Sequence, residues 1–262
     1  MKKIIKKINF FLELFGFSFR KLFLNLYNLS WFLNNYFEFK NKNHTELKIK
    51  GFYPCLLDKN DTSGNSNGHY FHQDIHVSRK IFLNNPKKHI DIGSRIDGFV
   101  SNIASFREIE VFDIREQKES PHENIIFKKI DFTNIPSSYY NYTDSLSTLH
   151  TIEHIGLGRY GDKIDPNGHI IFFNNLSNVL NINGILYLST PIGEPKIIFN
   201  AHRIFDLEYL LSIFNKNFEL IKFAYVDDIG NFHNSININD DFISKSKKFK
   251  YSLGIFELKK IK

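Results

Sequence analysis

Residues 89–98 read His-Ile-Asp-Ile-Gly-Ser-Arg-Ile-Asp-Gly, and this decapeptide limits the fold more than any other stretch. A β-branched run of strand length ends in an acid and a glycine. An amphipathic segment carrying Phe99, Ile103 and Phe106 follows. Such a change of period across a glycine marks a strand–turn–helix, the unit from which parallel α/β sheets are wound. It also turns backbone N–H groups and a helix start toward one spot, where a bound ligand can meet them. Asp113 lies twenty residues after Gly93, at the end of a second apolar run at 110–114. An acid there is placed to grip ribose hydroxyls, so a nucleoside-containing ligand is the first expectation.

The chain has 262 residues, enough for one large α/β domain with an appendage. A single cysteine, Cys55, excludes an internal disulfide framework and a cysteine metal cage, and a reducing cytoplasm is the default compartment. The net charge of +6 is uneven. Residues 1–50 carry ten Lys/Arg against three Glu, a net of +7, and the remainder carries 24 Lys/Arg against 25 Asp/Glu, a net of −1. The basic excess therefore belongs to the N-terminus, which argues against a nucleic-acid groove across the main domain.

In that N-terminal segment Ile4, Ile8, Phe11, Phe15, Phe19, Leu22, Leu26, Leu29 and Leu33 recur at steps of three or four. They predict one helical stripe over residues 2–33. Lys2, Lys3, Lys6, Lys7, Arg20 and Lys21 supply cations. Glu13 breaks the run a signal peptide needs, and no small-residue cleavage site follows. Glu13, Arg20, Lys21, Asn25 and Asn28 also break the apolar stretch a spanning helix needs. Two readings stay open: a basic amphipathic helix on an anionic membrane surface, peripheral to the inner membrane, or a helix packed against protein. Residues 1–40 form this segment, 41–68 a turn-rich connector and 69–262 the main domain. The oligomeric state is not legible.

Within the main domain, strands are expected at 89–93, 110–114, 125–130, 145–150, 185–190, 218–226 and 251–258. Helices are expected at 73–84, 98–106, 170–180 and 207–214, with Asn183-Gly184 as a helix stop signal. The last two strands lack an intervening helical pattern and predict an antiparallel edge pair joined by a polar loop at 229–250. Strands alternating with helices predict an α/β fold, a mostly parallel sheet covered on both faces, preceded by the N-terminal amphipathic extension.

The order Asp91-Ile92-Gly93, Asp113, Asp131, then Tyr142 to Ile155 with Glu153-His154, and Leu176 to Pro191 with Asn183-Gly184, resembles the class I S-adenosylmethionine-dependent methyltransferases. Residues 68–80 add a likeness to an uncharacterised methyltransferase-like group associated with bacterial surface-polysaccharide genes. The resemblance covers roughly residues 87–258. It implies an α/β, Rossmann-like doubly wound, mostly parallel seven-stranded sheet with an antiparallel last strand, S-adenosylmethionine as cofactor, and a small-molecule, sugar-like acceptor. Carried over by position, Asp91, Gly93 and Ser94 shape the turn under the methionine part. Asp113 takes the ribose hydroxyls, Asp131 and Phe132 sit at the adenine, and His150 and Thr151 line the far side. One departure stands out: Arg95 occupies a place usually held by glycine, and Gly98 comes one position late. Arg95 either blocks the approach or pairs with a carboxylate.

Methyl transfer to oxygen needs a base, and His is the commonest. Candidates beyond the strand ends are His150, Glu153, His154, Glu194 and His202, with His154 or His202 preferred and Arg203 as anchor for an acidic group. His69, His72, Asp74 and His76 crowd one stretch but lack a third ligand at metal spacing, so no metal is expected and a cap carrying Tyr70 or Phe71 is the better reading. Two other functions compete: a nucleotide-sugar-using transferase on a similar sheet, and a non-catalytic membrane-associated scaffold with a closed cofactor site.

Overall fold

The computed structural model describes residues 2–42 and 46–262, with side chains described from Ile8 onward. The side chains of Lys2, Lys3, Ile4, Lys6 and Lys7 thus lie outside the described residues. The chain divides into two compact units, Met1–Asn65 and Ser66–Lys262.

The first unit holds two helices, α1 (Lys2–Leu14) and α2 (Phe19–Lys42). The expected single helix is interrupted because Gly16 adopts φ +78°, a left-handed turn that only glycine enters without strain. Large apolar side chains stay exposed along both helices and in the turn between them, Tyr27 of α2 and Phe15 of the turn each at 75%. Asn28 is buried, its amide donating to Leu56 O at 2.7 Å. Among the described residues no helix is long and apolar enough to cross a membrane.

The second unit opens with α3 (His69–Asn84), then β1 (His89–Ile92). A π-helical turn at Ile96–Val100 runs into the four-residue α4 (Ser101–Ala104), in place of the regular helix expected at 98–106. There follow β2 (Ile109–Asp113), β3 (Ile125–Lys129), β4 (Thr143–Leu149), α5 (Gly168–Val179) and β5 (Leu180–Ile192). A hairpin of β6 (Lys196–Ile198) and β7 (His202–Ile204) precedes α6 (Leu207–Phe214) and β8 (Phe218–Val226). The chain closes with β9 (Phe232–His233), α7 (Asp240–Ser246) and β10 (Ser252–Lys260).

The main sheet has the order β3-β2-β1-β4-β5-β10-β8-β9. The β1–β2, β2–β3, β1–β4 and β4–β5 pairs are parallel, and β10 is antiparallel to both β5 and β8. This is the Rossmann-like sheet expected, its seven main strands extended by the two-residue β9. The last two long strands pair antiparallel at that end of the sheet, as expected, with β10 between β5 and β8 and only the two-residue β9 outside β8. The polar loop expected at 229–250 contains β9 and α7, and Phe242 of α7 is buried. Asn183-Gly184 is not the helix stop: α5 ends at Val179, and the pair lies in an irregularity at the start of β5, where Thr143 pairs with Leu180 but Ser145 with Ile185.

Alternation along the strands sorts the core onto two faces. Ile90, Ile92, Phe112, Leu146, Leu186 and Leu188 pack under α5, α6 and α7. Val111, Leu149, Tyr187 and Ile255 meet Val77 and Ile81 of α3 and Phe99 and Ile103 on the other face. That second face also buries a polar row. His89 pairs through Nδ1 with Ser145 Oγ at 2.8 Å and through Nε2 with Ser147 Oγ at 3.1 Å, and Ser147 Oγ donates to Asp91 Oδ1 at 2.6 Å. Pairing of this kind offsets most of the cost of burying polar groups.

Candidate active site

Strand order reverses between β1 and β4, and ligands bind open parallel sheets at such a switch point, outside the carboxyl ends of the strands. Gly93, Asp113, Asp131 and His150 all lie at those ends, and the structure gathers them around two connected hollows. A narrow, largely apolar slot of about 70 Å³ is walled by Ile92, Phe112, Ile130, Phe132, Ile155 and Phe172, with Asp113, Asp131, Thr133 and Asp162 at its rim. At Gly93, His150 and His154 it meets a polar cleft of about 620 Å³, a volume suited to a small-molecule ligand.

Each expected residue has a definite place. Asp91 lies beneath the turn: its fully buried carboxylate accepts from Ser94 N at 3.0 Å, Ser94 Oγ at 2.7 Å and Ser147 Oγ. Burial pushes its carboxyl up to about 6, against those hydrogen bonds. Ser94 Oγ also accepts from Leu149 N at 3.1 Å, so it ties β1 to β4. Gly93 has φ +70°, and a Cβ there would come within 2.8 Å of Thr151 Cγ2. Glycine is required at 93 both by the backbone and by its neighbour. The displaced Gly98 answers to α3, since a Cβ there would meet Asp74 Oδ2 at 2.6 Å. Arg95 leaves the slot clear. Its guanidinium pairs with Asp97 at 2.9 Å and lies 5.0 Å over the Tyr70 ring, on the wall of the cleft.

Asp113 ends β2 at the slot rim, but a residue unforeseen from the sequence engages it. Arg115 donates to Asp113 Oδ1 from its backbone N at 2.8 Å and from Nε at 2.9 Å, and to Oδ2 from Nη2 at 2.6 Å. Asp131 binds Thr133 N and Oγ1 at 2.8 and 2.7 Å. The Phe132 ring is buried against Phe172 at 5.4 Å and forms part of the slot wall.

Beyond β4, His150 adopts φ +54° and commits both ring nitrogens. Nδ1 lies 2.6 Å from Glu153 Oε1, and Nε2 lies 3.2 Å from His69 Nδ1. Burial alone would raise the Glu153 carboxyl, but the adjacent His150 and His154 hold it below the usual range. Burial, reinforced by His150, lowers His69 to about 4. His154 is different. Its Nδ1 lies 2.6 Å from Ala201 O, a group that only accepts, so Nδ1 carries the hydrogen and Nε2 keeps a lone pair. Burial lowers its pKa, partly opposed by Glu153, whose Oε1 stands 3.8 Å from Nε2. His202 packs on Tyr251 at 4.9 Å, lining the same cleft as His154.

Two sequence readings are corrected. Arg203 cannot anchor an acidic ligand: it is 4% exposed, and its guanidinium donates to Ile155 O at 2.6 Å and Pro166 O at 3.2 Å. Glu194 is exposed and pairs with Lys196 at 3.6 Å, away from both hollows. His72 and His76 pack on Phe232 at 5.4 and 5.1 Å, while Tyr70 of the expected cap does line the cleft. Among the described residues no group of three His, Cys, Asp or Glu side chains is placed to share a metal ion. Besides Arg115, the sequence reading missed Arg159, Tyr160 and Tyr251, all of which line the cleft. Their signal was faint, because each becomes part of the site only through loop conformation.

The [4+2]-cyclase SpnF has a similar fold, with 11% identity and a TM-score of 0.51 over 72% of this chain and 80% of that one. The N-methyltransferase NodS from Bradyrhizobium japonicum, solved with S-adenosyl-L-homocysteine, gives 9% identity and 0.48 over 87% of this chain and all of its own. The 1,6-didemethyltoxoflavin-N1-methyltransferase of Burkholderia thailandensis gives 11% and 0.48 over 72% and 79%. No curated protein matches in sequence. The profile of the family described as "Caenorhabditis protein of unknown function, DUF268" matches residues 99–261, more than half of the chain, and the chain belongs to that family.

Proposed function

We propose that this chain binds S-adenosylmethionine in the slot and transfers its methyl group to an oxygen of a sugar-like small molecule held in the cleft. The observation that carries the reading is the pair of strand-end carboxylates, Asp113 and Asp131, flanking an apolar slot that opens beside His154, whose Nδ1 lies against the Ala201 carbonyl. Fold alone does not choose a reaction, since a [4+2]-cyclase has a similar one.

The residues fit the cofactor chemically. An adenine ring is flat and apolar with a donor amino group, matching the Phe132 side of the slot and Asp131. A ribose hydroxyl is a donor, matching the acceptor position of Asp113 that Arg115 leaves open. When bound, S-adenosylmethionine supplies an electrophilic methyl on a sulfonium sulfur. The protein's share is alignment and proton handling. His154 Nε2 takes the proton of the acceptor hydroxyl, and the buried Glu153 carboxylate stabilises the imidazolium that results. His202, across from Tyr251, shapes the acceptor side.

The test uses methyl-labelled S-adenosylmethionine and a panel of free and phosphorylated sugars. Label should move to a sugar, and His154→Gln should slow the transfer about 10²–10⁴-fold without weakening cofactor binding. No label transfer, combined with binding of a nucleotide sugar instead of the cofactor, would replace methyl transfer with glycosyl-donor chemistry.

A second observation supports a peripheral membrane role for the first unit. Phe11, Phe23, Leu26 and Tyr27 on the two helices and Phe15 in the turn between them are each at least 60% exposed, and α2 also carries Arg20 and Lys21. Exposed apolar surface on this scale is rare in a soluble monomer, and a basic amphipathic helix binds anionic lipid.

A further inference from the structure

Three arginines line the cleft, and two of them are already neutralised. Arg95 pairs with Asp97 at 2.9 Å and Arg115 with Asp113 at 2.6 Å. Arg159 differs. Among the described residues no carboxylate lies within ion-pair distance of its guanidinium. Nη1 donates to Ala201 O at 3.0 Å, and the group lies 5.2 Å over the Tyr160 ring. Ala201 belongs to the turn between β6 and β7, so Arg159 is fixed on the side of the cleft that carries His202. It also stands beside the proposed base, its Nη1 3.3 Å from His154 Nδ1. One donor is used, and the rest of the planar fork is left for a ligand. Tyr70, Tyr160 and Tyr251 add flat apolar faces to the same cleft, and such faces suit the body of a ring.

We propose that the acceptor is a ring-bodied small molecule carrying a carboxylate or phosphate, and that Arg159 holds this anion in a bidentate grip. The inference rests on the methyltransferase reading in treating the cleft as the acceptor site. A planar guanidinium matches carboxylate and phosphate geometry as a lysine does not. Its prior contact with Ala201 O and Tyr160 limits the ordering needed on binding. The anion beside His154 would set the hydroxyl-bearing ring at a fixed distance from Nε2, so that Arg159 governs which molecules present a hydroxyl to the base.

The full chain, saturated with S-adenosylhomocysteine, is titrated calorimetrically with glucuronate, glucose 1-phosphate and neutral methyl glucoside. At least one of the two anions should bind below about 10 mM, and the glucoside about tenfold more weakly. Which anion binds tells carboxylate from phosphate. Arg159→Ala should cost about tenfold or more in anion affinity. Arg159→Lys should fall between the two, and Arg95→Ala should change it less than about threefold, because that cation is already paired. Affinity for S-adenosylhomocysteine should stay within about twofold in Arg159→Ala. The proposal is overturned if neither anion binds, if the glucoside binds equally well, or if Arg159→Ala leaves anion binding intact. Parallel loss of S-adenosylhomocysteine binding in Arg159→Ala would also overturn it, by assigning the guanidinium to the cofactor. Should wild type fail to bind S-adenosylhomocysteine at all, the methyltransferase reading falls, and the anion arm is then decided on the chain alone.

Discussion

At the scale of single residues, the site is governed by which polar groups are already committed. Asp113 Oδ1 accepts two hydrogen bonds from Arg115 and Oδ2 a third. An ionised carboxylate offers about four lone-pair positions, so about one remains for a ribose diol. Arg115 therefore competes with the proposed ligand. Arg115→Ala should tighten S-adenosylhomocysteine binding by about three- to tenfold, one charge-assisted hydrogen bond being worth up to about twice a neutral one. Weaker binding would show instead that the guanidinium itself holds the ligand. The sequence made Asp113 visible through its spacing from Gly93, but not Arg115, because contact between residues 113 and 115 depends on how the chain turns after β2. Arg203 was misread for a related reason. A cation beside a candidate base invites a ligand role, and only folding shows it enclosed by backbone carbonyls.

At the scale of elements, local signals and the antiparallel pairing of the last two long strands were legible, and the order of the strands was not. The β1 strand and its glycine turn follow from ten consecutive residues, and α6 lies where its periodicity placed it, at Leu207–Phe214. The insertion of β10 between β5 and β8 joins residues far apart in the chain, and no local pattern encodes it. The buried row between β1 and β4 makes an element-level prediction. Burial lowers His89 to about 3. A histidine whose folded value lies below its unfolded value near 6.5 contributes stability that is complete above about 6.5 and lost as pH falls toward 3. Asp91 in the same row runs the other way: with its carboxyl raised to about 6, its contribution is complete below about 3.8 and lost as pH rises through 6. Between pH 7 and 5, chemical denaturation should show wild type losing about 2 kcal/mol more than His89→Gln, in which only the histidine contribution is gone. Equal losses would mean that His89 does not stay neutral in the folded sheet.

At the scale of the whole molecule, the charge division seen in the sequence matches a division of surface. The first unit exposes large apolar side chains beside basic ones, whereas the second confines its apolar side chains largely to two faces of one sheet. The full chain should float with vesicles containing anionic lipid, and much less with zwitterionic ones, an attraction that weakens as salt is raised. Phe15→Ser combined with Phe23→Ser should reduce flotation, and unchanged flotation would move the contact to another surface. The helical period placed Leu26 in a helix but did not show the break after Leu14 at Gly16, because a glycine inside a periodic run can be tolerated or can end the helix.

The central claim is a nucleoside site at the carboxyl edge of the sheet, held by the carboxylate that ends β2. Calorimetric titration of S-adenosylhomocysteine into the wild-type chain and into Asp113→Ala tests it most directly. The account predicts saturable one-to-one binding by wild type and a loss of about 10- to 100-fold in the variant, the range expected when hydrogen bonds to a charged acceptor are removed. Equal affinity in the two proteins, or no binding by wild type, would contradict it.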